Sequence, residues 1–419
     1  MTSSRLERLY LRTQAQTRAQ CEEVIRAVED RPDAVPALAP FVERLALSLF
    51  PDQWPGLSQM PRTQDPDDLV LTFCIQAPPE LFQAAGLMPL HLACGSHAAA
   101  AAAPLNLPAL TCPLIKSAAG RMAPHLEALK KMPLVLPLTC DWTVRFGELG
   151  GLFPPGDIPD HVHLLELPRQ RRHVQSEARF LSAIKALKDW IEDQTQRKIT
   201  PRDLLRALED QARAALAFEQ LRRRRRRGEI PHLHFALITN ALAWSRPGEW
   251  TDWTRAYLNE RKPTAPSGTP VFLTGSPLVF PNYKLFFLAE RAGLSIQADD
   301  VCTLERAFNG PVPFRDKSEH ALLSALAQRH HTACSCPVFA DNRHRMNTLV
   351  QALEQDGIRG VIFHALKGCH PFDMDAGILE RQLKDRGIRF LKIETDYVKE
   401  DEQPLLTRLE AFGRSLTKE

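Results

Sequence analysis

The chain has 419 residues, enough for two or three domains, each with its own core. Its 44% hydrophobic and 25% charged residues are the composition of a soluble globular protein, and a net charge of +3 makes no global case for nucleic acid or an acidic partner. No apolar run reaches the roughly 18 residues of a membrane span, and the opening MTSSRLERLYLRTQAQ has no apolar secretory region, so a cytoplasmic setting is expected.

An amphipathic helix is predicted over 4–30 and a second over 36–50. The proline-rich stretch from Pro51 to Pro66 reads as a linker. LVLTFC (69–74) reads as a short buried strand. APPELFQAAG then gives a helix with proline just inside its start and Gly86 at its end. MPLHLAC (88–94) is a second strand, and the alanine-rich segment from His97 to Pro104 says little. Cys112-Pro113 opens a helix through about Lys130. PLVLPLTC (133–140) is strand-like, Asp141 begins another helix, and HVHLLELP (161–168) is a strand again. From Arg171 to Arg227 the pattern is helical throughout, with a threonine cap and first-turn proline in ITPRDLLRALED. A further helical segment covers 232–260, and KPTAPSGTP (262–270) is a clear linker. The alternation then resumes: VFLTGS, a helix over 282–293, LSIQADD, a helix near 318–331, and the helix RHRMNTLVQALEQDG. GVIFHAL, a helix over 373–386, RFLKIETD and a last helix over 401–415 follow.

Short apolar runs alternating with helices are the signature of a parallel sheet covered on both faces. The expected fold is α/β: two Rossmann-like parallel-sheet domains with an α-helical N-terminus and a helical insertion. The expected divisions are a helical segment and linker (1–64), a first α/β domain (65–170), a helical section (171–262) and a second α/β domain (263–419). No identity between the halves is visible. The run Arg222 to Arg227 reads either as a patch for nucleic acid or anionic lipid or as the exposed end of a long helix, where cations suit the dipole and Gly228 stops the helix. The second is favoured, because nothing nearby is basic or aromatic enough to build a binding face.

No GxGxxG follows the first strand and no GKS/T phosphate loop occurs, so dinucleotide or ATP binding by those routes is not expected. TGSP (274–277) either offers backbone N–H groups to an anion or is a plain strand-to-helix turn. The cysteines carry the chemical signal. There are nine, and a reducing compartment leaves little use for structural disulfides. Cys74, Cys94, Cys140 and Cys369 fall at or just past predicted strand ends, where open parallel sheets bind ligands. Cys112 precedes a helix whose dipole favours a thiolate, and Cys334 and Cys336 lie one residue apart in a loop. Such dispersed thiols could converge on a soft metal or a cluster.

At this point the chain resembles the D-component family of 2-hydroxyacyl-CoA dehydratases, which includes benzoyl-CoA reductase subunits and double-cubane cluster proteins. The likeness covers roughly 65–415. It rests on PPELFQAAGLMPL, TCPLIKSAAG, LTCD, LTGSP, ACSCP…RHRM, GVIFHALKGCHPF, RFLKIETDY and LLTRLEAF. The resemblance implies an iron–sulfur cluster on Cys112, Cys140 and Cys369. Cys94, Cys334 and Cys336 look like the extra thiols of the double-cubane branch, so the implied cofactor is a 4Fe-4S cluster or an 8Fe-9S double cubane. Relatives of that branch often carry Cys where this chain has Ser276. Cys74 and Cys302 are spares, and Cys21 lies outside the resemblance and is expected to be inert.

The resemblance also implies low-potential electrons from a separate ATP-hydrolysing activator, and a homodimer or heterodimer with a related subunit. Two enzyme readings follow: a double-cubane-type reductase of small molecules, or a 2-hydroxyacyl-CoA dehydratase subunit eliminating water through a ketyl radical. A third reading is a non-catalytic zinc-binding scaffold on the same thiols. His91, His97, His364 and His370 lie near the cysteine motifs as proton donors or as structural groups, and His370, beside Cys369, is preferred. Glu394 is the second catalytic candidate, with Asp396 beside it. Glu80 and Lys116 read as helix-start residues; Arg408 matches a family motif in LTRLEAF, with an ion pair fixing the last helix as the plainer reading.

Overall fold

The computed structural model describes residues 3–31, 34–53, 69–104, 107–140, 142–143, 145–146, 158–263, 267–308, 310–333, 336–340 and 343–417. Most of the first linker, Asp141, residues 264–266 of the second linker and Cys334 lie outside the described residues.

Leu69–Thr72 (β1), Met88–His91 (β2), Leu134–Pro137 (β3) and Val162–Leu165 (β4) form a parallel sheet in the order β2-β1-β3-β4. Thr269–Gly275 (β5), Leu294–Asp299 (β6), Gly360–Leu366 (β7) and Arg389–Thr395 (β8) form a second in the order β6-β5-β7-β8. The two halves thus repeat one topology although their sequences do not match. β1, β3 and β7 are buried at every position, as their unbroken apolar runs demand. In both sheets the order reverses beside the first strand of the half. The chain therefore leaves β1 and β3, and β5 and β7, to opposite faces and opens a crevice at their carboxyl ends.

The helices follow the apolar periodicity closely. Ser3–Glu29 (α1) and Ala39–Ser48 (α2) precede the first sheet; Pro79–Ala84 (α3), His97–Ala101 (α4), Pro113–Met122 (α5) and Leu126–Leu129 (α6) lie within its half. The helix expected through Lys130 breaks after Met122 into a tight turn, because Pro124 cannot continue the ladder. α4 packs backbone to backbone on α5: a Cβ at Gly120 would stand 1.9 Å from the Ala99 carbonyl oxygen. The alanine run is therefore a close-packing surface.

Ser176–Thr195 (α7) and Pro201–Arg226 (α8) make up the helical stretch expected over 171–227, the second starting at the predicted threonine cap and proline. They are separated by Gln196 in the left-handed region, φ 54°. Thr200 caps α8 reciprocally with Asp203, and Pro201 takes the first turn. His232–Leu242 (α9) and Pro247–Glu260 (α10) complete the helical section. Lys284–Arg291 (α11), Glu319–Ala333 (α12), Arg343–Asp356 (α13), His370–Lys384 (α14) and Glu402–Leu416 (α15) belong to the second half. α14 starts three residues earlier than its periodicity predicts, because Cys369 stands at its N-cap and Pro371 fits its first turn. Arg408 anchors α15 through a hydrogen bond to the Lys392 carbonyl on β8, rather than through the expected ion pair.

The arginine run is not a solvated face. Arg225 is 1% exposed and donates to Asp299 and, at 3.1 Å, to Glu305; its guanidinium lies 4.0 Å from the centre of the Phe235 ring. Arg226 bridges Glu305 and Asp356, and Arg224 holds Glu229 and the Leu258 carbonyl. The expectation of an exposed helix end fails here because three carboxylates of the second half lie where the helix passes.

A second buried link ties the halves together. Glu80 of α3 pairs with Arg329 of α12 and stands 3.2 Å from His330. Burial alone would raise the Glu80 carboxyl, but the Arg329 charge and then His330 override it and hold it at about 2. Burial, followed by the Arg329 charge, keeps His330 below its ordinary value and so neutral at pH 7, leaving Arg329 as the charged partner.

Two outcomes follow from these links. R225A leaves the buried Asp299 without its cation, while Glu305 keeps Arg226, and is expected to cost about 3–5 kcal/mol in urea unfolding, whereas R223A, on the exposed side of the helix, costs less than about 1 kcal/mol. The folded Glu80 value lies below the unfolded value of about 4.3. Its contribution is therefore complete above about pH 5 and is lost as pH falls toward about 2. The stability gap between wild type and E80Q should narrow between about pH 5 and pH 3; a pH-independent gap would show that the ion pair contributes nothing.

Candidate functional site

Cys112, Cys140 and Cys369 sit on three different loops, and the fold stitches those loops together. Cys140 follows β3, and Cys369 follows β7, at equivalent places in the two sheets. Cys112 is the N-cap residue of α5, with extended backbone before Pro113. Gly368 has φ +73°, and a Cβ there would lie 2.1 Å from the Leu110 carbonyl oxygen and 3.5 Å from the Cys112 nitrogen. Only glycine permits both that dihedral and that approach. The Trp142 indole donates to the Gly368 carbonyl at 3.3 Å, binding the Cys140 segment to the same loop.

The thiols feel one another. Burial pushes the Cys369 thiol up to about 12, and the Cys140 charge adds to it. Burial raises Cys112 strongly, with contributions from Cys369 and then Cys140. Cys336 is raised by burial; the Arg306 guanidinium opposes this, and the Cys140 charge adds to it. Four thiols from both halves therefore share one electrostatic neighbourhood, in which each thiolate discourages the next unless a cation joins them. Among the described residues, no three His, Cys, Asp or Glu side chains stand close enough to hold a single metal ion.

Hydroxyl groups attend these sulfurs. Ser276, directly after β5, accepts the Leu366 N–H at 3.0 Å, which leaves its proton for Cys369; that hydrogen bond favours the thiolate. The Thr143 hydroxyl lies 3.1 Å from the Cys140 sulfur. It also accepts the Cys140 N–H at 3.1 Å.

The remaining sequence candidates lie further out. Cys94 is fully buried, accepts the Ser96 N–H at 3.5 Å, and packs in the core that α1 and α2 build with α9. Cys302 feels the charge of Cys336, and burial lifts its thiol to about 11 against the pull of Arg306. Cys21 is buried in α1 and lifted to about 12 by burial. His370 is exposed at the start of α14, and Glu394 is exposed on β8. His364 is buried, hydrogen-bonded to Thr395 at 2.7 Å, and held down at about 4 by burial. His91 accepts the Ala93 N–H at 3.3 Å and is likewise held at about 4 by burial. His97 is paired with Gln20 at 3.0 Å. Lys116 donates to the Ala109 carbonyl at 2.7 Å, closing the loop that carries Cys112.

A cavity of about 140 Å³ opens between the halves, lined by none of Cys112, Cys140, Cys336 or Cys369. Its wall includes Cys74, Glu80 and His91 from the first half and Cys302, Arg329 and His330 from the second. Sequence reading assigns no partner to Glu80 and does not single out Arg329 or His330. A carboxylate and a guanidinium 249 positions apart give no local signal of their pairing. The one trace is a buried glutamate in the first turn of a short helix whose only other polar residue is Gln83.

Comparison with known proteins agrees with this architecture. The family model for the 2-hydroxyglutaryl-CoA dehydratase D-component matches residues 74–416. The Escherichia coli (strain K12) protein named "Putative dehydratase subunit YjiM" is 26% identical over 364 residues, covering 82% of this chain and 90% of the relative. The (R)-phenyllactyl-CoA dehydratase beta subunit of Clostridium sporogenes is 22% identical over 355 residues, with the same coverage of 82% and 90%. With two like-ordered parallel sheets and a match that spans nearly all of both, the chain belongs to the 2-hydroxyglutaryl-CoA dehydratase D-component family.

Proposed function

We propose that the chain is an iron–sulfur subunit of the 2-hydroxyacyl-CoA dehydratase type, with Cys112, Cys140 and Cys369 as its primary ligands. The observation that carries this reading is the meeting of three thiols from both halves at the carboxyl ends of two parallel sheets. The donor set fits the group: three cysteine sulfurs, buried or half-buried, two of them with a hydroxyl beside them. Iron–sulfur clusters are held by such thiolates, and burial and hydrogen bonds to sulfur set their potential. When bound, the group would carry single electrons, supplied at low potential by a separate ATP-hydrolysing activator.

The chain's own residues have separable tasks in this scheme. The α5 and α14 N-termini favour the thiolate forms of Cys112 and Cys369. Ser276 supplies a hydrogen bond to the Cys369 sulfur, and the Thr143 hydroxyl, which donates to the Cys140 carbonyl at 3.0 Å, stands 3.1 Å from the Cys140 sulfur. The Arg306 field, with that of Arg345, steadies a Cys336 thiolate. The cavity, walled by the Glu80–Arg329 pair, would receive the acyl-CoA or other small substrate away from bulk water. His91 is held neutral on that wall and is available to exchange a proton, whereas His364 is engaged on both sides by Thr395 and the Ser276 carbonyl. His370 and Glu394 face solvent, where they would act only on groups reaching the rim.

The presence of Cys336 among the coupled thiols favours the larger, double-cubane group, with Cys94 and Cys334 as further ligands, over a single cubane in a dehydratase subunit. We also propose a cytoplasmic, dimeric protein, as a homodimer or with a related subunit; among the described residues no helix is long and apolar enough to cross a membrane. Anaerobic purification with metal analysis tests the reading. About eight irons per chain fits the double cubane and about four the single cubane. A colourless protein carrying stoichiometric zinc would replace both with the scaffold reading.

A further inference from the structure

Two of the three central sulfurs have a hydroxyl beside them in the structure: Cys140 has Thr143 and Cys369 has Ser276. Cys112 has the Leu114 and Ile115 N–H groups of its own helix facing it, and among the described residues no serine or threonine is hydrogen-bonded to its sulfur. The side chain that adjoins it is Tyr397. This tyrosine follows β8, is 5% exposed, and packs in the same apolar cluster as Cys112, Leu366 and Cys369. Its phenol oxygen is buried and has no hydrogen-bond partner among the described residues. The charges of Cys112 and Cys94 both reach it.

A buried phenol bears the full cost of desolvation unless something accepts its proton. The ring is fixed by packing, so the oxygen cannot turn to solvent. The missing acceptor is a sulfur that becomes anionic only on binding metal. We infer that the Tyr397 hydroxyl donates to the Cys112 sulfur once that sulfur is a metal-bound thiolate, which makes Tyr397 a positioning and tuning residue of the centre. The inference rests on the iron–sulfur reading above. It completes a pattern in which each of the three sulfurs has one hydroxyl beside it, drawn from the segment after β3, the loop after β5 and the loop after β8. A hydrogen bond to a ligand sulfur withdraws charge and favours the reduced state, so its loss lowers the reduction potential.

The test is Y397F, which keeps the ring and removes only the oxygen. The anaerobically purified variant should carry the same iron per chain as wild type. Its midpoint, followed by EPR during a redox titration, should move to more negative potential, and its iron–thiolate stretching bands in resonance Raman should move to higher frequency. Uniform incorporation of 3-fluorotyrosine, a stronger donor, should move the wild-type midpoint the opposite way without any substitution. C21A, at a buried thiol outside the centre, should leave the Y397F shift intact; a shift that this substitution also removed would report general repacking and overturn the assignment. An iron-loaded Y397F with unchanged midpoint and bands also overturns it, while an iron-free wild-type chain would instead sink the reading on which it rests.

Discussion

The structure depends on one close approach: the Gly368 backbone against Leu110 and the Cys112 nitrogen. At that point the second half of the chain touches the first with no side chain between them. It brings a loop after β7 onto the loop before α5, and Trp142 draws in the loop after β3. With that contact the loops that carry Cys112, Cys140 and Cys369 lie together, and the charges of their thiols reach one another.

The repeated strand order explains why the contact works. Each sheet opens its crevice beside its own first strand, so facing the two carboxyl ends joins two ligand sites into one. Cys140 and Cys369 then occupy equivalent positions, as do Cys94 after β2 and Cys302 after β6. The links that hold the halves in this relation are ionic and buried: Glu80 with Arg329 across the cavity, and Arg225 with Asp299 and Glu305 between the helical section and the second half. Buried pairs of this kind add little net stability compared with apolar packing, but they tolerate only one arrangement. That is the property a multi-loop ligand set requires.

Much of the fold was legible because its signals are local. The continuous apolar runs of β1, β3 and β7 admit few alternatives, and Thr200-Pro201 announces its helix. Cys112, Cys140 and Cys369 were singled out as one set by the family resemblance; in the fold they stand at the N-cap of α5, after β3 and after β7, on loops that meet at Gly368. What escaped is non-local. Arg225 reads as solvated until Asp299 and Glu305 are placed beside it. The alanine run at α4 looks uninformative until Gly120 is seen to press against it. Glu394 and Tyr397 share one motif, yet strand alternation buries Ile393 and Thr395 and turns Glu394 outward, while the turn beyond the strand brings Tyr397 in. Parity at a strand end decides which member of a motif reaches the site, and a sequence leaves that parity open by one residue.

The claim at the centre of this account is that sulfurs from both halves hold a single group. EPR of the reduced, anaerobically purified chain in C112S, C140S and C369S addresses it directly. The account predicts that each substitution alters or abolishes the same signal, wherever in the chain it lies. If any one of the three variants retained the wild-type signal unchanged, that sulfur would stand outside the centre and the shared site would be refuted.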